Sequence, residues 1–172
     1  MDWANALSGI LQKYTGAGGG TAAAPADAHE DFQQVSQAAP QAVTSAGIEQ
    51  AFRSDQTPPF PQLVSRLFAN ADDSRRAGLL NRLLGLVGPG SLAGVPGLSI
   101  IPALLGGARQ VTPEQARRVP PQEVEQLASH AEQQNPGALK EISDFVSQHP
   151  DVMKALGGLA LAIAMQHIAR RS

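Results

Sequence analysis

Cysteine is absent from the 172 residues, which removes disulfides, thiolate nucleophiles and Cys-type zinc sites together and fits the cytosol and the periplasm equally. Aromatic residues are scarce, at 4% against 42% hydrophobic overall, so a core has to be assembled from Ala, Leu, Val and Ile, which bury less area per side chain. Neither sign of charge dominates: 13 basic and 15 acidic residues leave a net charge of -2. That balance offers no basic face for phosphates and argues against nucleic acid as a partner.

A membrane-spanning run is missing too. The uncharged stretch 155–169 would extend about 22 Å as a helix, short of the roughly 30 Å hydrocarbon core. The opening residues Met1-Asp2-Trp3-Ala4-Asn5 place an acid where an export signal carries Lys or Arg, which points to the cytoplasm, with attachment at the periphery of the inner membrane as the alternative.

Catalytic grammar is equally thin. The four histidines, His29, His130, His149 and His167, include no pair three or four residues apart, as a zinc-binding helix face would need. His149 stands between Asp144 and Asp151, but a His just before Pro150 is more simply a residue that satisfies backbone groups at a helix junction. No serine occupies a G-x-S-x-G elbow, and Gly18-Gly19-Gly20 and Gly106-Gly107 lack the Lys-Ser/Thr of a phosphate loop. The sequence therefore predicts no enzyme, no cofactor and no metal; a pocket near His130 and His149 is the one small-molecule site it leaves open.

Helical spacing is what the chain has in abundance. Trp3, Leu7, Ile10, Leu11 and Tyr14 share one face of a short amphipathic helix over 1–14, followed by a Gly/Ala-rich linker over 15–26. A helical domain follows over 27–172. In its first half, 27–82, Asp27 and Glu30 match a capping box. Phe32 and Val35, then Val43, Gly47, Ile48, Ala51 and Phe52, then Leu63, Val64, Leu67 and Phe68, then Leu79, Leu80, Leu83 and Leu84 mark successive apolar faces, with Arg75, Arg76 and Arg82 expected to face water. In its second half, 109–172, Thr112-Pro113-Glu114-Gln115 reads as a capping box with proline at the first helical position. Val124, Leu127, Ala128 and Ala131 point inward, with Glu123, Glu125 and Glu132 outward, and Leu139, Ile142, Phe145 and Val146 follow.

Between the halves lies 83–108, which carries no charge and ten Gly and Pro residues. Its Gly90 and Gly94 make a GxxxG step, but Pro89, Pro96 and Pro102 prevent one continuous helix, so an irregular apolar segment is expected. The last helix, 150–171, is apolar on every face from Ala155 to Met165 and needs cover from all sides. The fold expected is thus an all-α multi-helix bundle around a central apolar C-terminal helix.

Thr112-Pro113-Glu114-Gln115 followed by Val124-Glu125-Gln126-Leu127-Ala128, after a Gly/Leu-rich segment and an amphipathic N-terminus, resembles the YidB-like family of uncharacterised bacterial proteins. The resemblance covers the middle and later half of the chain. It implies a helical bacterial protein and brings no catalytic residues with it.

The function expected from the residues is a non-enzymatic structural or interaction protein that self-associates as a homo-oligomer. Trp3, Leu7, Ile10, Leu11 and Tyr14 on the first helix and Leu156, Leu159, Leu161, Ile163 and Met165 on the last are its candidate contacts. The alternative is a peripheral membrane protein that uses the same two helices at a lipid surface.

Overall fold

Proline and glycine cut the chain into short helices, described in a computed structural model over residues 3–15, 28–88 and 90–171. In order they are α1 (Trp3–Ala6), α2 (Ser8–Thr15), α3 (Ala28–Ala38), α4 (Gln41–Arg53), α5 (Phe60–Asn70), α6 (Asp73–Val87), α7 (Ile100–Leu105), α8 (Pro113–Ala116), α9 (Pro121–Gln134), α10 (Ala138–Gln148) and α11 (Gly158–Arg171). Short 3-10 turns lie at Leu92–Gly94 and Pro150–Leu156. No strand occurs among the described residues, and the fold is all-α. The linker expected over 15–26 lies, past Thr15, outside the described residues, as does the Asp27 cap.

Two compact units result, Met1–Pro58 with Ser143–Ser172, and Pro59–Ile142. The division differs from a single domain over 27–172 with sequential halves, because the first unit is assembled from two separate stretches of chain and includes the N-terminal helices. α10 contributes its first residues to the second unit and the rest to the first.

In the first unit α11 is central and packs against α2, α3, α4 and the Pro150–Leu156 3-10 stretch. One glycine makes the closest of these approaches possible. A Cβ added at Gly47 on α4 would sit 2.8 Å from the Ala164 carbonyl oxygen and 2.8 Å from Ile168 Cγ1, so the bare backbone is what lets the helices meet. Phe32, Val35 and Ile48 are fully buried in the same unit.

The last helix is shorter than the sequence suggests. Instead of one helix over 150–171, a 3-10 stretch runs to Leu156, Gly157 takes a φ of 85°, and α11 starts at Gly158. A positive φ is open to glycine at no steric cost, so the chain turns there rather than continuing the helix. The N-terminal helix is likewise interrupted, at Leu7, and α2 packs on α11.

In the second unit α5 packs on α9, and α6 packs on α8 and α9. Asp72 caps α6 by accepting the Arg75 backbone N–H at 2.8 Å. The Thr112 capping box is realised in both directions: its hydroxyl accepts from Gln115 N–H at 3.2 Å, and the Gln115 side chain accepts from Thr112 N–H at 2.9 Å. The arginines expected to face water are half-buried and engaged. Arg76 donates to the carbonyls of Phe68 and Ala69 at 3.0 and 2.9 Å and stacks 5.3 Å from the Phe68 ring centroid. It thereby closes the C-terminal end of α5, where free carbonyls and the helix dipole favour a cation. Arg75 pairs with Asp72 at 2.6 Å and Arg82 with Glu141 at 3.3 Å.

Candidate functional site

The ten apolar residues expected at contacts divide into two groups. Leu7, Leu11, Tyr14, Leu156, Leu161 and Met165 are buried within the chain's own packing. Trp3, Ile10, Leu159 and Ile163 are only half-buried. On α11 the division follows helical geometry: Ala160, Leu161, Ala164, Met165 and Ile168 form the packed face, and Leu159, Ala162 and Ile163, at steps of three and four, form a partly open row beside it.

A buried polar contact fixes the N-terminal helix to this unit. The Tyr14 hydroxyl donates to Asp31 Oδ2 at 3.0 Å, with both residues buried. Another ties α4 to α10, where Ser45 donates to the Asp144 carboxylate. Buried polar groups require such partners, so these contacts specify which faces meet.

The irregular segment 83–108 of the second unit is held by side chains that reach its backbone. Glu123, expected to point outward, is 5% exposed. One of its oxygens accepts from Ser99 N–H, the Ser99 hydroxyl and Ile100 N–H at 3.0, 2.9 and 2.9 Å; the other accepts from Ile100 and Ile101 N–H at 3.1 and 3.0 Å. The carboxylate thus satisfies the free N–H groups that open α7. Burial by itself would raise its pKa, but the donors from Ile100, Ile101 and Ser99 outweigh it and hold the carboxyl below its usual 4.5.

Two further side chains act in the same way. The Asn81 amide bonds both backbone groups of Val111, donating to its carbonyl at 3.2 Å and accepting its N–H at 2.8 Å. The Gln115 side chain donates to the Leu104 carbonyl at 3.0 Å, at the far end of α7. Sequence patterning misses Glu123 because a glutamate in the first turn of a helix ordinarily serves that helix. A readable signal exists nonetheless. The residue before α9 is Pro120, which has no N–H for a capping-box glutamate to accept, so the carboxylate is left to find donors elsewhere.

The histidines are divided between the units. His130 lies on α9 in the second unit and His149 in the first, where its ring sits 4.7 Å from that of Phe145. His167 on α11 is held below its usual 6.5, first by burial and then by Arg171 and Arg170, against a smaller opposing effect of Glu49. Among the described residues no three His, Asp or Glu side chains gather as a metal ion would need, and no described helix is long and apolar enough to cross a membrane. Compared with protein-family models, with curated proteins and with solved structures, the chain matches none of them.

Proposed function

We propose that the chain is a non-enzymatic interaction protein that binds a second copy of itself through the partly open apolar residues of its first and last helices. The observation that carries this reading is the row Leu159, Ala162 and Ile163, which stays partly exposed on a helix whose opposite face is fully packed. Covering such a row removes apolar surface from water, and a symmetric pair of copies covers it twice with one kind of contact. Trp3 and Ile10 on α1 and α2 add apolar surface of the same kind.

A lipid surface is the weaker reading. Of the residues it would take, Leu7, Leu11, Leu156, Leu161 and Met165 are already covered by protein, which leaves Trp3 and Ile10 at one end and Leu159 and Ile163 on α11 for insertion. Size-exclusion chromatography with light scattering, run over a range of concentrations, tests the proposal. The expected mass rises above 17.9 kDa with concentration and returns to the monomer in a Leu159→Glu/Ile163→Glu variant that keeps its helical circular dichroism. A wild-type monomer at every concentration overturns it.

A further inference from the structure

The second unit contains a cavity of about 270 Å³ between the end of α6, the Leu92–Gly94 turn and the stretch that follows α7. One water takes about 30 Å³, and drug-sized ligand sites begin near 300 Å³, so the space suits a small organic molecule. The residues that line it include the apolar Leu84, Leu92 and Leu105, two glycines of α6 and its cap, Gly85 and Gly88, and Arg109.

Gly85 is informative because it lies inside α6, where glycine weakens a helix relative to alanine. No close neighbour demands it: a Cβ built there meets nothing within 4 Å. It is one of the residues that line the cavity. Arg109 is also unspent. It is exposed, and among the described residues it pairs with no carboxylate, unlike Arg75, Arg82 and Arg117.

The walls are fixed in advance. Glu123 holds the start of α7, Gln115 bonds the Leu104 carbonyl just before Leu105, and Asn81 clamps Val111, two residues past Arg109. A site held open by its own polar contacts loses little order when a ligand enters.

We propose that this cavity binds a small apolar carboxylate, its anion paired with the Arg109 guanidinium and its tail lying against Leu84, Leu92 and Leu105. Arginine presents a planar fork that matches a carboxylate, which a neutral head group of the same chain length does not exploit.

Calorimetric titration with octanoate, 1-octanol and acetate tests the assignment. Octanoate is expected to bind saturably at one site, octanol about tenfold more weakly or less, and acetate without measurable heat. Arg109→Gln brings octanoate to the level of octanol. Gly85→Leu fills the open space and removes both, while its melting temperature stays at or above that of the wild type. Amide chemical shifts in the unaltered chain provide a check that needs no variant: octanoate should move Gly85 and Arg109 before other residues. Absence of saturable octanoate binding, shifts centred elsewhere, or full binding by Gly85→Leu overturns the proposal.

Discussion

The two units solve the same problem, how to join short helices with few aromatic side chains, by different means. The first relies on shape: α4 and α11 meet over Gly47, where bare backbone admits Ala164 and Ile168. The second relies on polar side chains that reach across to backbone, because its irregular segment exposes N–H and C=O groups that no regular helix satisfies. Close crossing works where both partners are regular. Where one partner is a chain of turns, unpaired backbone has to be satisfied group by group.

The largest expected effect breaks the second arrangement. Glu123→Leu leaves three backbone N–H groups without their acceptor and should cost about 3 kcal/mol or more in denaturant unfolding, with amide exchange at Ser99, Ile100 and Ile101 accelerated first. The same contact sets an acid dependence. Because the folded pKa lies below the usual 4.5, its contribution is complete above 4.5 and is lost as pH falls through the folded value. Glu123→Gln should remove that component from a stability profile measured between neutral and acid pH.

The first arrangement is broken by one methyl group. Gly47→Ala places its Cβ 2.8 Å from backbone and side chain of α11 and is expected to cost about 1–3 kcal/mol by overpacking. Removing the Tyr14 hydroxyl, which donates to Asp31, should cost about 1 kcal/mol, read as a lower denaturation midpoint for Tyr14→Phe. The matching change in the second unit, Gly85→Ala, meets nothing within 4 Å and should stabilise by about 0.5–1 kcal/mol through helix propensity. Two helical glycines, then, are expected to give opposite signs.

The smallest effect belongs to His167. Its folded pKa is held below the usual 6.5 by burial and by Arg171 and Arg170, so its contribution to stability is complete above 6.5 and lost as pH falls through the folded value. His167→Gln should flatten the stability profile in that window, measured by thermal melts at closely spaced pH.

What could be read from the chain follows from which signals are local. The apolar faces of α5, α6 and α9, the Thr112 box and the irregular character of 83–108 are written in neighbouring residues, and the structure has them. The break at Gly157 was masked by the apolar run around it, since hydrophobicity says that a segment is covered and not how its backbone bends. The burial of Glu123 is hidden for a different reason: its donors lie 22 to 24 residues earlier, in a segment whose need for an acceptor is carried by backbone rather than by side chains. The partly open row on α11 shows a third limit. Leu159 and Ile163 are no less apolar than Leu161 and Met165, and only packing distinguishes the pair left half-exposed from the pair that is buried.

The insertion of the second unit's residues between the two stretches of chain that build the first governs the order in which a newly made chain can settle. Residues 59–142 form a continuous unit and have that unit's partners once α9 and the start of α10 have been synthesised. Phe32, Val35 and Ile48, by contrast, belong with α11, whose last residue, Arg171, follows Pro58 by more than a hundred positions. At about 5–20 residues per second, their cover arrives roughly 6 to 23 s later. For that interval the earliest helices emerge with their apolar faces uncovered, and it is then, rather than in the finished protein, that they are most exposed to chaperones and to one another.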